Sequence, residues 1–206
     1  MRPLAFAPPP PDRHGFCPQE LQDHFRALYH SRYFIFFNNR LLEMEGIDQE
    51  LAKVFEELNL VQQTHQHEAA FTVEEQAVHV GHLPGALTKN LFLRDKKYGL
   101  FLVTALSTKE VNMKTVASLL GLSGANLRLG DEDLLRETLN VTRGSVSPLA
   151  LVHDKSNAVK FCIDKALTTQ EVLNVHPLRN DRTTSVSFTE LSRFLERIQH
   201  VPTVLD

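Results

Sequence analysis

The sequence has few of the features that usually stabilise or anchor small proteins. It contains no tryptophan and only two cysteines, Cys17 and Cys162, which cannot form a disulfide framework and show no C-x-x-C spacing. We therefore expect no thiolate zinc site, and the two thiols fit a reducing compartment. Cys162 alternates within an apolar run and has no neighbouring histidine or helix start that would activate it, so we interpret it as structural.

Long apolar runs and common catalytic signatures are also missing. No window of about 18 uncharged apolar residues occurs, and four prolines at 8–11 stand where a signal peptide would need an apolar helix. The sequence therefore predicts a cytoplasmic protein without a membrane partner. It contains no G-x-S-x-G, Walker A or dinucleotide-binding motif, which excludes the commonest enzyme classes.

The composition is that of an ordinary folded protein, with 42% apolar residues, 23% charged residues and a mean hydropathy of -0.20. The length of 206 residues suits one large domain with an appendage. We predict a proline-rich leader with an accessory helical extension over residues 1–46, followed by one domain over 47–206. The apolar run 33–37 in the extension should either fold back on that domain or contact a partner such as a synthetase.

Positive charge is concentrated in one part of the chain, although the net charge is -3. Residues 86–128 contain seven Lys or Arg against two Asp or Glu, while the segments on both sides are acidic. Such a segment can be a solvated hairpin face or a surface for an anionic ligand.

Capping residues and apolar periodicity predict a mixed α/β order with much hairpin pairing. We expect helices to begin at Asp48, Thr72, Asn112, Asp131 and Ser187, with capping boxes at Thr72 and Ser187. We expect strands over 60–66, 87–93, 100–106, 149–153, 158–164, 171–175 and 183–186.

Histidine spacing raises the question of a metal site. His65 and His67 lie two apart on a predicted strand, and His79 and His82 follow shortly after. No carboxylate or cysteine stands at a matching ligand spacing, so we expect no metal and no cofactor.

Two polar turns can carry chemistry. In the loop of residues 144–148, Gly144 can adopt a positive φ and Pro148 stiffens the exit, so the N–H groups of Ser145, Val146 and Ser147 can converge on an oxyanion; an ordinary turn fits equally well. The second turn follows His176 and leads into Asn180 to Ser185, where hydrogen-bonding side chains are frequent.

Several separated segments resemble the YbaK/prolyl-tRNA synthetase-associated domain family, most closely its free-standing alanyl-tRNA(Pro) deacylases. They are the segments 71–75, 83–93, 100–103, 144–151, 164–167, 176–180 and 183–187. The resemblance covers about residues 47–206. It implies an α/β (α+β) fold with a central, curved, mostly antiparallel sheet flanked by helices.

The activity that the resemblance implies is trans-editing, the hydrolysis of the ester of mischarged Ala-tRNA(Pro). Lys89 matches the family's lysine, Gly144 and Pro148 match its G-x-x-x-P loop, and His176 matches the histidine of its H-P-L motif. The resemblance further implies that Asn90 contacts the acceptor end, that the loop binds the ester carbonyl, and that Thr183, Thr184 and Ser185 line the same wall. A hydroxyl of the substrate ribose is expected to assist the attacking water.

Two other functions remain compatible with the sequence. A sister deacylase would act on Cys-tRNA(Pro) or another aminoacyl-tRNA, because the sequence does not define the volume of the pocket. A silent module of the same fold would only bind tRNA or a synthetase, although Lys89, Gly144, Pro148 and His176 are all present.

Overall fold

A computed structural model describes residues 47–206. The predicted leader and extension over 1–46, including Cys17, lie outside the described residues. The helices are α1 Gln49–Leu58, α2 Val73–Val80, α3 Met113–Leu119, α4 Glu132–Leu139, α5 Lys165–Thr168 and α6 Phe188–Arg197, with a 3-10 helix at Pro148–His153. The strands are β1 Gln62–Gln66, β2 Ala86–Asp95, β3 Gly99–Leu106, β4 Arg128–Leu129, β5 Val159–Asp164, β6 Val172–Val175, β7 Arg182–Ser187 and β8 Thr203–Leu205.

The strands form one sheet in the order β1-β7-β6-β2-β3-β5-β8, and the short β4 pairs with β2. Four pairings are antiparallel, namely β1 with β7, β6 with β7, and β2 with both β3 and β4. The pairings of β2 with β6, β3 with β5 and β5 with β8 are parallel. The predicted mixed fold with a mostly antiparallel sheet is confirmed for the described part of the chain.

Strand β2 has an open stretch on one of its two edges. Strand β3 pairs with it continuously from Thr88 to Asp95. On the other edge β6 reaches only Ala86 and Leu87, and β4 pairs only with Leu93 and Arg94. Among residues 47–206, no strand covers this edge between those two pairings, so a gap opens near the centre of the sheet.

Side-chain caps fix the helix starts where the sequence predicted them. Thr72 accepts from the N–H of Glu75, whose carboxylate bonds back to the Thr72 N–H, so this capping box is complete. At α6, Ser187 accepts from the Glu190 N–H, but the Glu190 carboxylate binds Arg193 instead. The second capping box therefore forms only in its first half.

The predicted strand over 149–153 is wrong, because the structure forms the 3-10 helix there. Pro148 occupies its first turn, where the missing N–H costs nothing. The Ser147 hydroxyl accepts from the Leu149 N–H at 3.2 Å, and the Ser147 carbonyl accepts from Ala150. A short apolar run buried on all sides suits a strand and a helical turn equally, and these caps favour the turn.

The core lies on both sides of the sheet. Helix α1 packs on α6, with the rings of Phe55 and Phe194 edge to face at 5.9 Å. A second cluster combines strand residues such as Phe101 and Val103 with Val116 of α3. No helix among residues 47–206 has the length and hydropathy to cross a bilayer.

Cys162 belongs to this second cluster and is fully buried. Burial raises the pKa of its thiol to about 11, although nearby Lys160 opposes the shift. The thiol is therefore protonated and inert near neutral pH, in agreement with the structural role predicted for it.

A buried ion pair ties the turn after the 3-10 helix to the end of α6. The Asp154 carboxylate accepts from the N–H groups of Ala158 and Val159 and lies 3.1 Å from Nε2 of His200. The other ring nitrogen of His200 is 2.8 Å from the carbonyl of Ile198, so hydrogen bonds hold the ring on both sides. Burial raises the pKa of Asp154, but these hydrogen bonds outweigh it and hold the pKa below its usual value.

We expect Asp154→Asn to lower the free energy of unfolding by about 3 kcal/mol, because it removes the buried carboxylate that accepts from the N–H groups of Ala158 and Val159 and contacts His200. Chemical denaturation at pH 7 measures the loss. The matched control is Glu50→Gln, which removes the exposed pair with Lys155 and should cost far less, because solvent screens that pair.

The pH dependence of stability gives an independent check on the same pair. Since the pKa of folded Asp154 is lowered, its contribution is present above the usual carboxyl pKa and is lost only as the pH falls through the lowered value. Asp154→Asn should remove this acid-dependent part of the unfolding free energy. Equal losses in both variants at pH 7 would contradict the role of the pair.

Candidate functional site

The loop that joins α4 to the 3-10 helix has the backbone that the sequence predicted. Gly144 has a φ of +83°, a region that side chains with a Cβ rarely adopt. The N–H of Ser145 donates to the Thr142 carbonyl at 3.1 Å and closes the turn. Pro148 is buried and begins the 3-10 helix, so the loop is held at both ends.

Three N–H groups of this loop are unpaired, and those of Gly144 and Val146 belong to partly exposed residues, whereas Ser147 is fully buried. In the described part of the chain, the N–H groups of Gly144, Val146 and Ser147 have no hydrogen-bond acceptor. The hydroxyl of Ser147 is already an acceptor for Leu149, so this side chain is not free to act as a nucleophile. A row of unpaired N–H groups attracts a carbonyl oxygen or an oxyanion.

A cleft of about 250 Å³ separates this loop from the open edge of β2. It is lined by Asn90, Leu91, Phe92, Leu129, Gly130, Leu135, Arg143, Gly144 and Val146. The cleft therefore brings Asn90 together with Gly144 and Val146 of the loop, two parts of the site that the sequence proposed separately.

The backbone of Asn90 faces the gap in the sheet. The Leu87 carbonyl accepts from Ser107 on the β3 side, whereas the Phe92 carbonyl accepts from Gly130 on the opposite side. Because the backbone groups of an antiparallel strand alternate between its two edges, those of Asn90 point to the same edge as those of Phe92. The side-chain oxygen of Asn90 accepts from the hydroxyl of Thr104 at 2.7 Å, which fixes the amide.

Lys89 and Asn90 point to opposite faces of β2, because successive side chains of a strand alternate. Lys89 is half-buried, and no acidic group among residues 47–206 pairs with its ammonium. The strand therefore offers an unneutralised cation on one face and a fixed amide on the other.

His176 follows the end of β6 and is buried. Its Nδ1 lies 3.0 Å from the carbonyl of Arg182, and a carbonyl can only accept, so Nδ1 carries the proton. Burial lowers the pKa of His176 and nearby His67 lowers it further, while the bond to Arg182 opposes both. The ring is therefore neutral at neutral pH, with the lone pair on Nε2.

His67 and Thr183 form a hydrogen-bonded chain that the sequence did not reveal. Nδ1 of His67 is 2.7 Å from the carbonyl of Glu68 and must donate to it, so Nε2 accepts from the Thr183 hydroxyl at 3.0 Å. The amide of Gln76 donates to the same hydroxyl at 3.4 Å. The ring of His79 stacks on His67 at 5.5 Å.

This arrangement engages both nitrogens of His67 in hydrogen bonds. Within residues 47–206, no group of three or more His, Cys, Asp or Glu side chains is arranged to hold a metal ion. The sequence signal for this network is His67 three residues before the buried Ala70 and shortly before α2, but only the pairing of β1 with β7 brings Thr183 to it.

Thr183, Thr184 and Ser185 cannot line one wall, because successive residues of β7 face opposite sides of the sheet. Thr183 contacts His67, and Ser185, on the same face, donates to the Asn174 amide at 2.6 Å. The Thr184 hydroxyl lies 2.9 Å from that of Thr64, on the other face. The prediction that the three share a wall is wrong for Thr184.

Comparisons with known proteins show the family to which the chain belongs. The model of a family described as the aminoacyl-tRNA editing domain matches residues 67–194. The chain is 40% identical over 158 residues to a prolyl-tRNA synthetase associated domain-containing protein 1 of Danio rerio, covering 76% of this chain and 85% of the relative. It is 29% identical over 157 residues to the prolyl-tRNA editing protein ProX of Acetoanaerobium sticklandii, covering 75% and 93%.

Solved structures share the fold at lower identity. One is provisionally named a trans-editing enzyme for prolyl tRNA synthetase, with a TM-score of 0.58 and 18% identity over 78% of this chain and 99% of that one. A hypothetical protein of solved structure matches with a TM-score of 0.60 and 20% identity over 76% of this chain and 99% of that one.

The family match spans most of the described residues and includes both the G-x-x-x-P loop and the His176 turn. The resemblance predicted from the separated motifs is thereby confirmed, and the chain belongs to the aminoacyl-tRNA editing domain family.

Proposed function

We propose that this protein is a trans-editing deacylase that hydrolyses the ester of mischarged Ala-tRNA(Pro). The observation that carries the proposal is the pair of unpaired N–H groups at Gly144 and Val146, two residues that line an open cleft. The family match supports a role in aminoacyl-tRNA editing, and the names of the relatives support the prolyl-tRNA system.

Alanine is the substrate that most needs such an enzyme. A synthetase pocket that fits proline cannot strongly reject the smaller alanine, because each missing methylene costs only about 1–3 kcal/mol of binding. A second, smaller pocket solves this problem, since alanine enters it and proline is excluded by its size.

The reaction is the attack of water on the ester carbonyl, which yields free alanine and tRNA(Pro). The carbonyl oxygen becomes negative in the tetrahedral intermediate, where the loop N–H groups stabilise it. The leaving ribose oxygen takes up a proton as the ester bond breaks. A neighbouring ribose hydroxyl assists the water, which suits a site where Ser147 caps a helix and His176 donates to a backbone carbonyl.

His176 and Lys89 position the substrate in this proposal. The unprotonated Nε2 of His176 accepts a hydrogen bond from a substrate hydroxyl, since Nδ1 is held by Arg182. The ammonium of Lys89 attracts the phosphates of the acceptor end. Asn90, Ser145 and Thr183 shape the surrounding walls.

The partners that follow are the acceptor end of tRNA(Pro) and a prolyl-tRNA synthetase that supplies the mischarged tRNA, and the place of action is the cytoplasm. The reaction as written uses water and needs no cofactor. Attachment to a synthetase through residues 1–46 would raise the local concentration of the editing site.

Release of labelled amino acid from Ala-tRNA(Pro), Cys-tRNA(Pro) and Pro-tRNA(Pro) tests the proposal. We expect rapid hydrolysis of the alanyl ester and survival of the prolyl ester. Preferential hydrolysis of the cysteinyl ester would identify the sister deacylase instead. Binding of the tRNA without hydrolysis of any ester would identify a silent binding module.

Gly144→Val should lower kcat by about 100-fold or more, because a β-branched residue cannot hold the positive φ and displaces the N–H groups. The matched control is Gly124→Val, at a φ of +72° with open space around it. It imposes similar backbone strain away from the cleft and should leave kcat unchanged. Single-turnover rates on Ala-tRNA(Pro) measure both effects. Equal rates for the two folded variants would show that the loop is an ordinary turn without a role in catalysis.

Lys89→Ala should weaken binding of the tRNA and reduce the slope of log K against log salt by about 1, the value for one lost phosphate contact. The control is Lys114→Ala, which removes an exposed cation of the same basic segment on α3. Binding titrations at several salt concentrations measure both slopes. If the two variants behave alike, the basic segment acts only through its overall charge.

His176→Gln should change the pH profile of kcat/KM, because glutamine can accept a hydrogen bond but does not titrate. Burial lowers the pKa of His176, so the neutral, active ring persists below its usual pKa and is lost only as the pH falls further. The ratio of wild-type to variant kcat/KM should therefore stay flat through neutral pH and fall in acid. A ratio that stays constant over the whole acid range in which both proteins remain folded would show that titration of His176 does not control the reaction.

A further inference from the structure

Phe71 is an exposed aromatic residue at the edge of the candidate site. Its relative exposure is 69%, although large apolar side chains are usually covered. Its ring is 3.4 Å from the point where a Cβ of residue 144 would lie, so it stands beside the loop with the unpaired N–H groups. The exposed ring thus offers an aromatic face to a ligand bound at this loop.

The position of Phe71 is fixed by the backbone and not by packing of the ring. Its N–H donates to the Glu75 carboxylate at 2.7 Å, as part of the cap of α2. A residue before an N-cap often packs on the fourth residue of the helix, but that residue here is the buried and polar Gln76. The ring therefore gains little from the helix and remains open to solvent.

Asn180 places a hydrogen-bonding group beside the ring. Its Nδ2 lies 3.5 Å from the same Cβ point on residue 144, and its carbonyl accepts from the Ala70 N–H. Within residues 47–206, the side-chain amide of Asn180 has no hydrogen-bond partner. The aromatic face of Phe71 and the free amide of Asn180 therefore both lie next to Gly144, in the loop with the unpaired N–H groups.

We propose that Phe71 and Asn180 form a nucleobase subsite, in which the terminal adenine of the substrate stacks on Phe71 and the Asn180 amide contacts its edge. The inference rests on the proposed function, because the ester that reacts at the loop is attached to the ribose of that nucleotide. Only a few covalent bonds separate the ester carbon from the base, so a carbonyl bound at residues 144–147 places the base close by. Aromatic stacking accepts any base, and asparagine is the side chain that matches the N6 and N7 edge of adenine.

The stacking is tested with a non-hydrolysable amide analogue of alanylated adenosine, by calorimetric titration of the full chain. Phe71→Leu should weaken binding of the adenosine analogue about tenfold, while Phe71→Tyr retains it. With Ala-tRNA(Pro), Phe71→Leu should raise KM and leave kcat nearly unchanged, since the base does not take part in bond breaking. The control is Val78→Ala, another exposed apolar residue on α2, which should change neither constant.

The edge contact is tested with an analogue of the alanylated nucleoside that carries purine without its exocyclic amino group. The wild type should bind it several-fold more weakly than the adenosine analogue, and Asn180→Leu should lose this preference. A preference that survives in Asn180→Leu would overturn the role of Asn180.

The outcomes separate this inference from the proposed function. If the wild type hydrolyses Ala-tRNA(Pro) but Phe71→Leu binds and hydrolyses like the wild type, the subsite is wrong and the function stands. If the wild type hydrolyses no ester, the function itself fails. Loss of synthetase binding in Phe71→Leu with unchanged affinity for the nucleoside analogue would show a protein contact and would also overturn the subsite.

Discussion

The incomplete pairing of β2 is the constraint around which the candidate site is organised. The parallel neighbour β6 ends at Val175, and Pro177 follows two residues later without an N–H to extend the ladder. The chain then turns at Leu178, whose φ of +65° is uncommon for a side chain of this size. Because β6 turns away from β2 here, the edge of β2 stays unpaired. The loop that contains Gly144 and Val146 faces this edge across the cleft.

The candidate site residues carry three kinds of polar group, of which the N–H groups of the loop border the cleft. The loop contributes unpaired N–H groups, β2 contributes the ammonium of Lys89, and the turn after β6 contributes a neutral imidazole. The first two favour negative charge, while the third can accept a proton in a hydrogen bond. Such a set suits a substrate that is an ester and an anion at once, as aminoacyl-tRNA is, without a nucleophilic side chain.

Local signals in the sequence were sufficient for most of the fold and failed where distant contacts decide. Caps at Asp48, Thr72, Asn112 and Asp131 depend on neighbours within three residues, and the structure has them all. The sequence predicts a strand instead of the 3-10 helix at Pro148–His153, because a segment buried on all sides has no alternation of apolar and polar residues that would distinguish the two. The short strands β4 and β8 have few residues of their own and exist through pairing with β2 and β5.

The same distinction applies to the site. The positive φ of Gly144 could be predicted, because a glycine four residues before a proline in a polar turn has a local backbone reason. The link of His67 to Thr183 and the approach of Phe71 to Gly144 could not, since each joins segments more than seventy residues apart. If the carbonyl oxygen of a substrate occupies the loop N–H groups, its ribose and base must leave along the side of Phe71, and its amino acid must point into the cleft against β2. In the proposed function, the residues that select the amino acid then lie on a strand whose register is fixed by β3, so the wall that would exclude proline is rigid.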